Sequence, residues 1–149
     1  MSMTYISRPT TTKCQAFGQD GATATLPLVR RIVEDIRADS RALQDVLPDL
    51  KEARQQSHAL GAPVPGLAPL RETVADITTR FEACLAELAL IGCVYRGTSG
   101  HVDFRGEWNG RPVFFCWAPG EYEVSHCHPL GSDCRHRERI EIDAALPVR

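Results

Sequence analysis

HVDFRGEWNGRPVFFCWAPGEYEVSHCH, residues 101–128, holds both tryptophans of the chain, two turn signals and a crowd of acids, thiols and imidazoles. Asn109-Gly110 lies between two runs rich in β-branched and aromatic residues. Both residues tolerate positive φ, so the pair predicts a two-residue hairpin turn. Trp108 then opposes Arg111, Phe104 opposes Phe115, and Asp103 opposes Cys116. Pro119-Gly120 is the second signal, because Pro presets φ and Gly accepts the positive φ of a type II turn. It pairs Trp117 with Tyr122, Phe115 with Val124 and Cys116 with Glu123. Side chains alternate along a strand. One face of the expected three-stranded antiparallel meander therefore carries Val102, Phe104, Trp108, Val113, Phe115, Trp117, Tyr122 and Val124, a core face. The other carries Asp103, Arg105, Glu107, Phe114, Cys116, Glu123 and Ser125.

Upstream, the apolar period changes from two to between three and four. Leu26, Val29, Val33, Ile36, Leu43, Leu47 and Leu50 follow a heptad-like spacing interrupted by Ser40. A helix is expected from near Thr25, with Pro27 in its first turn, where a missing N–H costs nothing. Pro48 either kinks this helix or starts a second one. Residues 61–66, GAPVPG, break the pattern. Leu67, Leu70, Val74, Ile77, Phe81, Cys84, Leu88 and Ile91 form the next seam, and Gly92 stands where a C-cap would. Two such seams joined by a short linker predict a long antiparallel helical hairpin packed on the small sheet, an α+β fold. Cys93 to Tyr95 is a candidate edge strand. The expected organisation is one domain over 1–149. It comprises a loose N-terminal arm (1–20), the helical hairpin (24–91), the antiparallel sheet (93–128) and a loop and tail (129–149), tethered by Ile140, Ile142 and Leu146.

The 149 residues carry a net charge of −2, which gives no global reason to expect nucleic acid or an anionic membrane as partner. Only Lys13 and Lys51 are lysines, so cationic sites here are arginine sites. No apolar run reaches the ~18 residues of a membrane span. The N-terminal stretch MSMTYISRPTTTK lacks an apolar signal core. The expectation is a cytoplasmic protein whose six cysteines are reduced thiols or metal ligands rather than a disulfide framework.

Val102-Asp103-Phe104, Asn109-Gly110-Arg111, Cys116-Trp117, Gly120-Glu121, His128 and Arg137 together resemble the bacterial domain-of-unknown-function family 2203. The resemblance spans about residues 22–140 and implies a fold, a helical hairpin running into this motif, without an activity. This chain departs from the family pattern at four places. Arg105 replaces a proline, Cys127 a tryptophan, Asp133-Cys134 a Gly-Phe pair, and His136 a small residue. Aromatic bulk has been exchanged for thiols and an imidazole within ten residues.

Three constellations carry candidate chemistry. The polar row Asp103, Cys116 and Glu123 sets two carboxylates beside a thiol. It could share a proton or bind a divalent cation, or it could be a sheet face whose acids pair with Arg105 and Arg111. With the motif residues Glu121 and Arg137, it forms the candidate ligand-binding set. Cys127, His128, Cys134 and His136 are ligands of the type zinc prefers, at no standard spacing. His126 and His128 share a strand face and make the better imidazole pair. Arg135, Arg137 and Arg139 form a basic loop that suits carboxylates or phosphates, or that meets Glu138 and Glu141 as surface pairs. There is no Gly-rich phosphate loop, Ser-His-Asp ordering or HExxH.

Two readings follow. One is a binding or interaction module of no established catalysis, a homodimer through outward residues Ile32, Val46 and Leu85. The other is a metal- or small-ligand-binding protein, enzymatic or not, with a divalent transition metal such as zinc held among His126, Cys127, His128, Cys134 and His136.

Overall fold

Gly61 and Gly92 both take left-handed backbone conformations (φ 65° and 99°), and each closes a helix by returning its N–H to the last turn. The first helix, α1, runs Gln19–Leu60 and the second, α2, Leu67–Ile91. The computed structural model describes residues 17–97 and 99–140. Five strands follow: β1 (Cys93–Arg96), β2 (His101–Trp108), β3 (Arg111–Trp117), β4 (His126–Pro129) and β5 (Glu138–Arg139). They form one antiparallel sheet in sequence order, with a short 3-10 turn, Cys134–His136, before β5. The α+β class is as expected. The sheet has five strands rather than three, gaining β1 and β5 as its edges.

At 1.5 Å per residue, the 42-residue α1 is ~63 Å long and the 25-residue α2 ~38 Å. The C-terminal part of α1 pairs with α2, and the N-terminal part lies on the sheet. There Ala22, Leu26, Val29, Ile32, Val33 and Ile36 join Leu88, Val102, Phe104, Phe115, Trp117 and Val124 in the main core. Toward the hairpin tip the buried set shrinks to Leu50, Ala53 and Leu67. All eight seam positions of α2 are buried or half-buried. Among the described residues no helix is long and apolar enough to cross a membrane.

Three expectations about α1 are corrected. It begins at Gln19 rather than near Thr25, so Phe17 to Asp20 are not a loose arm. Pro27 lies inside the helix rather than in its first turn, and of the two alternatives for Pro48 the one that starts a second helix falls away, because the helix continues through it. The extra N-terminal turns are held by tertiary contacts that proline placement cannot reveal. Ala22 is fully buried, Gln19 Nε2 donates to Val124 O (3.0 Å), and Val124 N donates to Thr23 Oγ1 (3.2 Å). Ahead of the helix, Phe17 N donates to Arg105 O (2.9 Å), and its ring meets Phe104 edge-on at 5.4 Å. Gly106 permits this approach, since a Cβ there would stand 2.0 Å from Phe17 O. Of the residues expected outside, Ile32 is buried, Leu85 packs against the core and Val46 is half-buried. The expected arm residues 1–16, with Cys14, and the tail residues Ile142 and Leu146 lie outside the described residues, whereas Ile140 is buried.

The β2–β3 hairpin has the expected register: Trp108↔Arg111, Phe104↔Phe115 and Asp103↔Cys116. Asn109 and Gly110 take the positive φ of the turn, 52° and 75°. The next turn differs. Gly120 has positive φ (97°), and Glu121 N bonds Ala118 O at 3.0 Å, so Pro119-Gly120 does turn the chain. The strand, however, resumes only at His126. Phe115 pairs with Cys127 rather than Val124, and Cys116 with His126 rather than Glu123. The cause is competition for backbone groups. Val124 is bound by Gln19 and Thr23, Arg30 donates to Glu121 O and Tyr122 O, and Trp117 Nε1 takes Glu121 O at 2.9 Å. Tyr122, expected in the core, is 89% exposed. A shift by an odd number of residues exchanges the two faces of the incoming strand.

The central strands test this register. Phe115 is fully buried and Phe114, one residue away, only partly so. Phe115→Ala is expected to cost roughly 3–5 kcal/mol in a urea titration, because a large ring leaves a cavity, and Phe114→Ala clearly less. Equal losses would contradict the face assignment.

Candidate metal centre

The shifted register decides which thiols and imidazoles meet. His128, paired with Phe114, shares the face of Cys116 and Asp103, the face turned away from the helical core. Cys127, paired with Phe115, lies on the opposite face and packs against that core. The chain then returns through the 3-10 turn and sets Cys134 over the strands. Its Sγ is 3.4 Å from Cys116 Sγ and 3.8 Å from Asp103 Oδ1. Asp103 and Cys116 are fully buried and His128 almost so. One ligand atom from each of Asp103, Cys116, His128 and Cys134 lies within 4.8 Å of every other.

A buried carboxylate is costly unless it is paired. Asp103 Oδ2 accepts from Arg96 Nε at 2.8 Å and faces His128 Nε2 at 3.1 Å. Arg96, absent from the sequence-derived candidates, comes from β1. Val94 opposes Asp103, so Arg96, two residues along, shares its face, and its guanidinium lies 5.3 Å from the centroid of the Phe114 ring. The arginines expected to serve this face, Arg105 and Arg111, are both exposed. His128 Nδ1 lies 3.0 Å from Pro129 O. A carbonyl can only accept, so Nδ1 carries a proton, an assignment made from the bonding pattern. Nε2 faces the carboxylate oxygen Asp103 Oδ2, so this contact holds either the second ring proton or a cation. Backbone bonding of one ring nitrogen is also the usual way a metal-ligating histidine is oriented.

The thiols are shielded to different degrees. Burial is the main cause pushing the Cys116 thiol far above its ordinary range, and Cys134 and the Asp103 charge add to it. Cys134 is raised too, chiefly by burial, with Cys116 and Arg96 acting in the opposite sense. Neither is a free thiolate nucleophile at neutral pH without a compensating cation.

Beside this cluster stands a second one. Glu121 Oε1 accepts from Ala118 N (2.7 Å) and from Arg137, and Oε2 lies 3.3 Å from His126 Nδ1. Arg137 thereby ties the end of the Cys134 turn to the loop after β3. Of the other sequence candidates, Glu123 is exposed and His126, not Glu123, stands opposite Cys116. His136 is exposed and directed to Asp133 (3.2 Å), which also caps the 3-10 turn and pairs with Arg135. So Asp103, Cys116, His128 and Cys134 come together, and Glu121, Arg137 and His126 form their neighbour. Glu123, Cys127 and His136 lie apart from the four-ligand cluster.

Burial alone would raise the Glu121 carboxyl, but the bonds from Arg137 and the Ala118 amide outweigh it and hold the group below the usual glutamate range. A depressed folded-state value stabilises the fold above the unfolded-state value, and this contribution is lost as pH falls through the folded-state value. Glu121→Gln is therefore expected to lower stability by about 1–3 kcal/mol at neutral pH. The gap from the parent should narrow in denaturant titrations carried into the acid range. A gap independent of pH would contradict the pairing.

No curated protein and no solved structure matches the chain. Residues 15–140, which include both helices, the sheet and every residue of the two clusters, match the family described as uncharacterized conserved protein (DUF2203). The chain belongs to this family, DUF2203.

Proposed function

We propose that the protein binds a divalent transition-metal ion, with zinc the best match, through Asp103, Cys116, His128 and Cys134. The observation that carries this reading is the convergence of four ligand atoms within 4.8 Å of one another, three of them on buried residues from three adjacent strands. Zinc bond lengths of ~2.0–2.3 Å put tetrahedral ligand–ligand edges at ~3.3–3.8 Å. The 3.4 Å between the sulfurs and the 3.8 Å from Cys134 Sγ to Asp103 Oδ1 match these edges, and the set as a whole, spread within 4.8 Å, would draw in around the ion. Mixed sulfur, nitrogen and oxygen donors favour a borderline-soft ion over magnesium or calcium.

Charge supports the same reading. An ionised Asp103 and two thiolates exceed a divalent ion by one negative charge, and Arg96 on Asp103 offsets it. The thiols give up their protons to the solvent as the ion enters. Arg137 and Glu121 hold the turn that carries Cys134, so they position a ligand without being one. Reduced thiols in such a site also fit a cytoplasmic protein.

Protein expressed in zinc- and iron-supplemented medium is expected to carry about one equivalent of transition metal. Cys116→Ser and His128→Ala should reduce it below about a tenth, and Arg137→Ala should weaken affinity roughly 10–100-fold. Less than about a tenth of an equivalent in the parent protein, by elemental analysis, would end the proposal.

A second copy of the chain is the proposed partner of the hairpin tip. A two-helix seam covers only one side of each helix, and there Leu47, a seam position, is 46% exposed. Light scattering at micromolar concentration should give twice the 16.5 kDa chain mass, and Leu47→Glu should return the monomer. A monomer mass for the parent would remove the dimer.

A further inference from the structure

We infer that Cys116 and Cys134 are a redox-active dithiol whose oxidation to a disulfide ejects the metal, so that the site is a peroxide- or disulfide-sensitive switch. The inference rests on the metal reading for its consequence, but the dithiol chemistry stands on its own geometry. The two sulfurs are 3.4 Å apart, one on a central strand and the other 18 residues later on a short turn. Contraction to the ~2.05 Å of a disulfide bond requires a shift of little more than an ångström. The turn can supply it, because Cys134 belongs to a three-residue 3-10 segment and is only partly buried, whereas Cys116 is locked in β3. Cys127 cannot compete, since it lies on the other face of the sheet, and Cys84 and Cys93 belong to the helical core side.

The asymmetry assigns the roles. Cys134 is the accessible sulfur, partly exposed on its turn, whereas Cys116 is fully buried in β3. It attacks a peroxide oxygen, the O–O bond breaks, and Cys134 becomes a sulfenic acid while hydroxide leaves and is protonated. Cys116, shielded from bulk peroxide, attacks the Cys134 sulfur. The S–S bond forms, and the sulfenic oxygen leaves as water, taking up the proton that Cys116 gives up. In sum two thiols are oxidised by two electrons, and one peroxide is reduced to two waters. An external disulfide reacts to the same end through a mixed disulfide at Cys134, releasing two thiols. Disulfide sulfurs are not thiolate ligands, so only Asp103 and His128 remain for the ion, which departs. A reductant restores both ligands.

Three measurements separate this from the metal reading. Zinc titration of the reduced, chelator-stripped protein tests that reading alone. The same metal-free protein is then treated with hydrogen peroxide and mapped by mass spectrometry. The expected product has lost about 2 Da, with the Cys116 and Cys134 peptides linked, whether or not zinc binds. Finally, the oxidised protein is offered zinc, and uptake should be lost and should return with a thiol reductant. Cys134→Ser, a change on the surface turn, should leave the circular dichroism unchanged, abolish the link and leave Cys116 unmodified. Oxidation that leaves both thiols free, carries Cys134 to sulfinic acid, or links other cysteines would overturn the dithiol. A mapped Cys116–Cys134 link that leaves zinc uptake intact would overturn the switch.

Discussion

Asp103 has no exposure to solvent and lies on the face of the sheet that the helices leave uncovered. The arrangement around that carboxyl follows from the cost of burying it. Arg96 reaches it from β1, His128 from β4 and Cys134 from the 3-10 turn. Each comes from a different element, so β1, β4 and the turn are required for the polar face as the aromatic residues are for the core face. Breaking one partner of a buried charged group costs more than the pair contributes, because the survivor is left unsolvated.

How these partners reach Asp103 is decided on the other side of the sheet. The first turns of α1 bind the loop between β3 and β4 through Gln19, Thr23 and Arg30. That loop can no longer form a tight hairpin, so β4 begins at His126. The odd shift turns His126 and His128 to the polar face and Cys127 to the core. A helix far from the candidate ligands in sequence thus selects which of them can converge. Glu121 couples the two sides. Its carbonyl accepts from Trp117 and Arg30. Its carboxylate binds Ala118 and Arg137.

Much of this is legible in the sequence, and the failures have a common cause. The β2–β3 hairpin can be read in register because Asn109-Gly110 carries its own conformational requirement, a local signal. The α2 seam can be read because periodicity over 25 residues leaves little choice. The start of α1 cannot, because Pro27 argues for a first turn while the burial of Ala22 against distant residues extends the helix beyond it. Pro119-Gly120 is a real turn, but where the next strand resumes depends on side chains about 90 to 105 residues away in sequence. The candidate ligands were legible by type and neighbourhood. Their partition between faces was not, so Cys116 and Cys127 could not be told apart as partners of Cys134. Arg96 had a signal, two residues beyond the position opposite Asp103 on an edge strand, which only the β1–β2 pairing makes readable.

The metal site proposed for the polar face of this sheet is built from two thiolates, one imidazole and one carboxylate. X-ray absorption at the zinc edge of the reconstituted protein tests it most directly, because it reads the donor atoms themselves. The expected spectrum shows about two sulfurs at ~2.3 Å and two nitrogen or oxygen donors at ~2.0 Å around the ion. One sulfur should disappear in Cys116→Ser and one in Cys134→Ser. A shell of oxygen and nitrogen alone, or a sulfur shell unchanged by both substitutions, would contradict it.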